Sequence, residues 1–307
     1  MPARSRKRRR RGVNKPKRKP SLYLVAGVIV VLLGVVFVSS TNFWNNNSKL
    51  TVLIQESEGD LRLTTFDPVV GEITNIVIPS NTEVEVAQHF GIFRVGSVWK
   101  LGFSEGLGGN LLAKTVSKNF KFPVYIWAGN NASGFSSANY LEVIKAVFTR
   151  YKTNLKIGDR LKIALFSIGV PNSRRVEINL SDTPYLKKTK LTDGKDGYVI
   201  EKNIPVSILS VFADPIITKG EYRVVITNNT SSAGIANQVG EIVEVLGAKV
   251  ASVKRGENDV DGCVVEGIDR ETVAKIAQIL GCKEGDQKLD ANFDIEIVLG
   301  NNFEEIF

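Results

Sequence analysis

The order of secondary structure is clearest in residues 222–254, YRVVITNNTSSAGIANQVGEIVEVLGAKVASVK. Residues 222–227 are apolar enough for a buried strand, and residues 249–254 have the pattern of a second strand. Between them, four apolar residues recur at the spacing of one helix face: Ile235, Val239, Ile242 and Leu246. Gly247 is placed to end that helix. The stretch therefore predicts a strand, a helix and a strand.

The residues that follow extend this order. Residues 263–266 and 295–299 read as strands, and a helix lies between them with Asp269 as its N-cap and Gly281 at its end. The complete order is β-α-β-β-α-β, the split ferredoxin-like plan. We therefore expect a ferredoxin-like C-terminal domain over residues 221–307.

Upstream, residues 50–214 have the pattern of a mixed α/β domain, and the 43% hydrophobic content of the chain is sufficient for buried cores. The periodicity predicts a β-meander, two helices and two further strands: strands at 50–54, 61–66 and 73–78, helices over 111–120 and from Ser136 or Ser137 onward, and strands at 161–165 and 176–180. Residues 215–220 are expected to be a linker between the two domains.

The basic charge of the chain is concentrated at its N-terminus. Eleven lysines and arginines lie between Arg4 and Lys19 with no acidic residue among them, and the 288 residues from 20 to 307 hold 29 basic and 32 acidic side chains. The bulk of the protein is therefore mildly acidic, although the net charge of the whole chain is +8. This distribution argues against a nucleic-acid partner.

An uncharged apolar run, residues 22–38, follows the basic tail. A helix needs roughly 17 to 25 such residues to span a bilayer. We expect a transmembrane helix over 21–40, with residues 1–20 in the cytoplasm by the positive-inside rule, a spacer at 41–49, and the bulk of the chain outside the cell membrane. A cleaved signal peptide is the alternative, because Val38-Ser39-Ser40 resembles a small-residue cleavage site.

Few residues can hold a metal or act as a catalytic base. The chain has one histidine, one methionine and two cysteines, and a structural zinc site needs about four Cys or His ligands. His89 has no Gly-x-Ser-x-Gly motif to accompany it, and we expect it at the surface. Outside the membrane, Cys263 and Cys282 are expected to form a disulfide; two buried free thiols are the alternative. No cofactor or metal is expected.

The C-terminal domain resembles a known family. Residues 224–230, VVITNNT, together with GIA at 234–236, LG at 246–247 and IVLGNNF at 297–303, are similar to the C-terminal domain of LytR-CpsA-Psr cell-envelope proteins. Five residues carry most of this motif: Asn228, Asn229, Gly234, Gly247 and Gly300. Physically, 228–231 is a strand-to-helix turn, and Gly234 is expected to let the first helix pack close to the sheet. These residues explain the fold and supply no reactive group.

The middle domain resembles the catalytic domain of the same family in a degenerate form. Ile-Pro-Ser-Asn-Thr at 78–82 is similar to the family's Ile-Pro-Arg-Asp-Thr motif, and Gly108-Gly109 and Phe122-Pro-Val resemble its next helix and exit. The resemblance implies transfer of a glycopolymer from a polyisoprenoid pyrophosphate carrier to the wall. However, Ser80 stands where the family has arginine, and Asn81 where it has aspartate.

These two departures decide the expected function. A pyrophosphate needs opposing positive charge, and phosphoryl transfer needs a carboxylate that holds a metal. We therefore expect no catalytic residue. The candidates for an anionic-ligand site are Arg62, Asn81, Arg94 and Lys100. The alternative is that the charged residues among them are ordinary solvated side chains. The sequence thus favours a membrane-anchored envelope protein that binds or scaffolds peptidoglycan, a lipid-linked glycan or other envelope proteins.

Two other functions are left open at this point. One is an active, Mg²⁺-dependent phosphotransferase whose site has been rebuilt around Asp60, Arg62 and Arg94. The other is transcriptional attenuation, which rests on the historical name of the family and finds no support in the acidic charge of residues 20–307.

Overall fold

The computed structural model describes residues 22–39, 44, 47–201, 204–232, 234–257, 260–285 and 292–307. The first helix, α1, spans Leu22–Ser39. Within the described ranges, no helix is both long enough and apolar enough to cross a membrane. The spanning helix over 21–40 stays a prediction, and the basic tail at 1–20 lies outside the described residues.

The middle domain is built on a five-stranded sheet. Its elements in chain order are β1 (Leu50–Gln55), β2 (Leu61–Asp67), β3 (Glu72–Ile78), β4 (Glu83–Val86), β5 (Gly91–Arg94), α2 (Val95–Ser104), α3 (Asn110–Phe120), β6 (Ile126–Gly129), α4 (Tyr140–Phe148), α5 (Ile157–Gly169), β7 (Arg175–Asn179), β8 (Leu186–Lys190), β9 (Asp196–Ile200) and α6 (Val206–Phe212). The strand order is β6-β1-β2-β3-β7. The antiparallel pairs β1/β2 and β2/β3 form the predicted meander, and β6 and β7 add parallel strands at its edges.

Helices cover both faces of this sheet because successive side chains of its strands point to opposite sides. On β1, Leu53 packs into the core cluster that includes α2 and α3, whereas Val52 and Ile54 pack into the cluster that includes α4 and α5. All six residues of β1 are buried. The domain is therefore a three-layer arrangement with the meander at its centre.

Two local predictions for the middle domain differ from the structure. The alternation of Leu161, Ile163 and Leu165 indicates a strand, but these residues lie in α5, where Ile163 is buried and Leu165 is 68% exposed. That strand prediction is wrong. Apolar residues at alternate positions also occur in a helix, where only some of them lie on its buried face. The helix predicted from Ser136 or Ser137 begins instead at Tyr140, since the Asn139 side chain accepts a hydrogen bond from the Leu141 N–H at 3.0 Å.

The C-terminal domain contains the predicted helices and strands. Its elements are α7 (Pro215–Gly220), β10 (Arg223–Asn228), α8 (Ile235–Val245), β11 (Lys249–Arg255), β12 (Cys263–Gly267), α9 (Arg270–Leu280), β13 (Lys283–Glu284), β14 (Ile295–Leu299) and α10 (Phe303–Ile306). Residues 215–220, expected as a linker, form the short helix α7, which the Asp214 side chain caps. The apolar faces of α8 and α9 pack with β10, β12 and β14 in one core.

The strand order corrects the ferredoxin-like expectation. The sheet runs β11-β10-β14-β12-β13, with β10 parallel to both β11 and β14, and β12 antiparallel to β14. In the split plan another strand separates the two strands joined by the first helix, whereas β10 and β11 pair directly here. Apolar periodicity specifies the type and order of the elements, but it does not specify which strands become neighbours.

A buried ionic cluster joins the two domains. The Asp214 side chain, 1% exposed, accepts hydrogen bonds from the backbone N–H groups of Lys49 at 3.0 Å and Ile216 at 2.9 Å, and it is paired with Lys275 on α9. The Lys275 ammonium also donates to the Lys49 carbonyl at 2.8 Å. Burial lowers the pKa of Lys275, and the Asp214 carboxylate opposes that shift. The cluster thus links helix α9 to the residue before β1 and to the residue before α7.

Candidate functional site

A cleft of about 610 Å³ opens at one edge of the middle-domain sheet. Strands β1 and β3 are each antiparallel to β2, and β6 is parallel to β1, so the carboxyl ends of β1, β3 and β6 lie at the same edge. Gln55 ends β1, Gly129 ends β6, and Ser80 follows β3; all three line the cleft. Ligands of open α/β sheets bind outside the carboxyl ends of the strands. This cleft is therefore the candidate functional site.

The structure brings three of the four predicted anion-binding residues to the cleft. Asn81, Arg94 and Lys100 line it, and Arg62 lies on β2 outside the lining. The Asn81 amide is 3.5 Å from the Asp196 carbonyl, and its backbone carbonyl accepts the Tyr198 N–H at 3.2 Å. Asn81 is thus connected to strand β9, while Lys100 is an exposed cation at the rim.

Close backbone packing limits what can occupy position 80. A Cβ added at Gly96 would lie 2.7 Å from the Ser80 Cβ and 2.9 Å from the Gly59 carbonyl oxygen. The Ser80 N–H donates to the Asp60 carboxylate at 2.7 Å, and the Ser80 carbonyl accepts the Gly96 N–H at 3.0 Å. Asp60 therefore holds the loop after β3, and the small Ser80 side chain fits between two glycines.

Arg62 is held by two carboxylates. Its Nε donates to Glu56 Oε1 at 2.5 Å, and its Nη1 donates to Glu177 Oε2 at 2.6 Å. Burial by itself would lower the pKa of Arg62, but the hydrogen bonds to Glu177 and Glu56 raise it above its ordinary value. With its side chain 18% exposed, the guanidinium is a paired structural charge.

Arg94 is paired in the same way at the rim of the cleft. Its Nη2 lies 2.8 Å from Asp193 Oδ2 and 3.0 Å from Oδ1, and its Nε donates to Oδ2 at 3.1 Å. The Lys195 N–H and the Arg94 guanidinium lower the pKa of Asp193. This fork geometry engages the Nε and Nη2 donors of Arg94, the pair that binds a carboxylate or a phosphate in bidentate fashion.

The charges around the cleft do not favour a pyrophosphate. The guanidinium groups of Arg62 and Arg94 are paired with three carboxylates, which compete with a pyrophosphate for them: Glu56, Glu177 and Asp193. Across the described part of the chain, no group of three or more His, Cys, Asp or Glu side chains is placed to hold a metal ion. What the cleft offers is mainly uncharged hydroxyl and amide groups, from Ser80, Asn81 and their neighbours.

Among the cleft residues that sequence reasoning missed are Gln55 and Trp99. Gln55 is the polar end of an apolar strand, and Trp99 precedes Phe103 by one helical turn, a spacing that is equally typical of a packed core. Neither pattern indicates a binding site in the sequence. The two residues become candidates only because the fold brings the ends of the strands next to α2. His89, expected at the surface, is exposed in the β4–β5 turn with a positive φ of 62°.

The motif residues of the C-terminal domain have structural roles. Asn228 Oδ1 accepts the Thr230 N–H at 3.0 Å and the Thr230 hydroxyl at 2.7 Å, which closes the turn between β10 and α8. The Asn229 N–H donates to the Leu299 carbonyl at 2.9 Å and links this turn to the end of β14. No reactive grouping was expected of this motif, and these contacts are those of a turn.

The motif glycines differ in what they require. Gly247 has φ +103° at the end of α8, and a Cβ at Gly300 would overlap the Val260 carbonyl oxygen. Both positions therefore need glycine. Gly234 corrects an expectation, because a Cβ there would meet nothing within 4 Å among the described residues. Gly234 is not required for close packing of α8 on the sheet.

Cys263 and Cys282 form the expected disulfide, with their Cα atoms 4.7 Å apart. The bond joins β12 to the residue after Gly281, which ends α9 in a left-handed conformation. The disulfide therefore closes the unit of strand and helix that also carries Lys275.

A family model described as "LytR cell envelope-related transcriptional attenuator" matches residues 221–303. No curated protein matches the chain. Similar solved structures include B. subtilis TagT, with 14% identity, 52% of this chain and 88% of that chain covered, and a TM-score of 0.38. B. subtilis TagV has 10% identity, coverage of 52% and 92%, and a TM-score of 0.38.

Another similar structure is "LytR-CPS2A-psr family protein YwtF (TagT) with bound octaprenyl pyrophosphate lipid", with 16% identity, coverage of 52% and 87%, and a TM-score of 0.38. The match over residues 221–303 confirms the resemblance seen in the sequence. Residues 221–303 are thus similar to the C-terminal domain of LytR-type cell-envelope proteins.

Proposed function

We propose that the protein is anchored in the cell membrane, faces the outside of the cell, and binds an envelope glycopolymer without transferring it. The observation that carries this proposal is the pairing of both arginines near the cleft with carboxylates, Arg62 with Glu56 and Glu177 and Arg94 with Asp193. A cleft in which the arginines are already paired with carboxylates, and Lys100 is the exposed cation at the rim, binds uncharged parts of a ligand better than a pyrophosphate.

The same pairing argues against a rebuilt phosphotransferase. Phosphoryl transfer depends on cations and metal-holding carboxylates that stabilise charge on the transferred group. Asp60, which such a site would need, already accepts the Ser80 N–H at 2.7 Å. Arg62 and Arg94 would each have to share a guanidinium between its carboxylate partners and a phosphate.

The proposed location rests on the sequence and on the disulfide. Residues 22–38 carry no charge and follow eleven basic residues, which favours a cytoplasmic tail and an anchoring helix. A disulfide such as Cys263–Cys282 persists in oxidising compartments, which supports a C-terminal domain outside the cytoplasm. Protease added to intact cells should digest that domain and spare the tail. Digestion of the tail alone would overturn this topology.

The binding proposal is tested with inorganic pyrophosphate as the probe. This probe has the charge of the carrier's pyrophosphate but no glycan or lipid, so it reports only whether the protein binds that charge. Calorimetry on the full-length protein in detergent micelles should detect no binding at micromolar concentrations, with or without Mg²⁺. The variant Glu56→Gln/Glu177→Gln removes both carboxylate partners of Arg62 and is expected to gain measurable affinity. Micromolar binding by the unaltered protein that is lost in Arg62→Gln would contradict the proposal.

A further inference from the structure

Gln55 is a buried polar side chain that needs a hydrogen-bond donor. It is 8% exposed at the end of β1, and its Oε1 atom has no hydrogen-bond partner among the described residues. Its Nε2 makes only a long contact, 3.4 Å, with the Glu56 carbonyl. A buried carbonyl without a donor is costly, so a water or a ligand that supplies the donor is favoured there. Gln55 lines the cleft, where a ligand hydroxyl or amide N–H can reach it.

Trp99 lines the same cleft and is held in place by other aromatic rings. Its indole lies 5.7 Å from that of Trp127 in an edge-to-face arrangement and 4.9 Å from the Phe103 ring. Trp127 is fixed in turn, because its Nε1 donates to Asn110 Oδ1 at 2.7 Å and Gly109 packs against its face. The Trp99 side chain is half-buried. It therefore presents a rigid apolar surface to the cleft at little entropic cost on binding.

The groups near Trp99 suit a ligand with an apolar face and a polar edge. Ser97 and Asn130 offer an uncharged hydroxyl and amide, while Glu58 and Glu56, the latter paired with Arg62, have carboxylate oxygens that accept hydroxyl donors. A sugar ring has this character, since its axial C–H bonds form an apolar face and its hydroxyls lie around the edge.

We propose that the cleft contains a subsite for an uncharged sugar ring, stacked on Trp99 with a donor directed at Gln55 Oε1. This inference rests on the proposed glycan-binding function and specifies which part of a glycan the cleft recognises. A charged pyrophosphate is not the group bound at this subsite.

The test uses tryptophan emission from the full-length protein in lauryldimethylamine oxide micelles, a detergent without a sugar headgroup. The chain has three tryptophans, and Trp44 is 3% exposed in a different core cluster. In the Trp44→Phe background, all indole emission therefore comes from Trp99 and Trp127. Titration with uncharged tetrasaccharides of N-acetylglucosamine, glucose, galactose or mannose should shift that emission saturably for at least one sugar.

Two variants separate recognition from folding. Trp99→Ala should abolish the affinity for the tetrasaccharide, measured by calorimetry. Gln55→Leu should lower it about tenfold, equivalent to about 1.4 kcal/mol, without a fall in melting temperature, because the lost polar atom has no partner in the described residues. Phe148→Ala removes a ring that is 71% exposed on α4 and should leave the affinity unchanged.

The outcomes distinguish this inference from the broader proposal. If no tetrasaccharide binds, or if the affinity survives in both Trp99→Ala and Gln55→Leu, the subsite is refuted while glycan binding elsewhere stays open. If the unaltered protein binds pyrophosphate at micromolar concentrations and loses that binding in Arg62→Gln, the proposed function fails, whatever the tetrasaccharides do.

Discussion

Replacing Lys275 by methionine is expected to destabilise the protein by about 3 kcal/mol. The Lys275 side chain is 14% exposed, and the Asp214 side chain that it contacts is 1% exposed. Methionine keeps the apolar stem but removes the ammonium, which leaves the buried carboxylate with the N–H groups of Lys49 and Ile216. Breaking a buried ion pair typically costs about 3–5 kcal/mol. The two remaining hydrogen bonds place the expected loss at the lower end of that range.

Urea unfolding of the full-length protein in micelles, followed by tryptophan emission, measures this loss. The double variant Lys275→Met/Asp214→Asn carries no buried charge at the site, so its loss should be smaller than the sum of the two single losses by more than about 1 kcal/mol. Lys188→Met, on the exposed side of β8, is the matched control and should stay within about 0.5 kcal/mol of the original stability. A loss below about 1 kcal/mol for Lys275→Met, or additive losses, would refute the reasoning.

Three further predictions concern the C-terminal domain. Thiol labelling of the unreduced, denatured protein should find neither Cys263 nor Cys282 free, and two labelled thiols would disprove the disulfide. Replacing both cysteines by serine should lower the free energy of unfolding in urea by about 3 kcal/mol, the loop-closure value for a separation of 19 residues. Gly300→Ala should cost about 2 kcal/mol in thermal unfolding, because its Cβ would overlap a backbone oxygen; an unchanged melting temperature argues against this account. Hydrogen bonds from the backbone and side chain of Arg223 lower the pKa of Asp294. The stability that ionised Asp294 contributes is therefore complete above the pKa of the unfolded state, about 3.9, and is lost as the pH falls through the pKa of the folded state. Asp294→Asn should lose less stability than the original protein between pH 5 and pH 3, and equal losses would count against this role of Asp294.

The helices and strands of the C-terminal domain are predictable because their signals are local. In α8 the apolar residues Ile235, Val239 and Ile242 are buried as their spacing predicts, and Gly247 ends the helix with a positive φ. The neighbours of β10 are not predictable in this way, because pairing with β14 joins residues about seventy positions apart. Strand order depends on non-local packing that a periodic pattern does not record.

In the candidate site, too, local features are predictable from the sequence and long-range contacts are not. The motif at 78–82 places the loop after β3 at the cleft, and the sequence identifies Asn81, Arg94 and Lys100 as residues near it. The partners of the arginines could not be predicted, since Glu177 lies 115 residues from Arg62 and Asp193 lies 99 residues from Arg94. Their carboxylates change the arginines from available cations to paired ones, and only the folded arrangement reveals this.

The central claim is that the cleft binds a glycan without catalysing its transfer. It is tested most directly by incubating the full-length protein with a glycan on a polyisoprenoid pyrophosphate, Mg²⁺ and peptidoglycan, and then measuring the glycan retained on the protein and the glycan attached to peptidoglycan. The account predicts retention, with attachment no greater than in the reaction without protein. Attachment that depends on the protein and is abolished by Arg62→Ala or Arg94→Ala would contradict it.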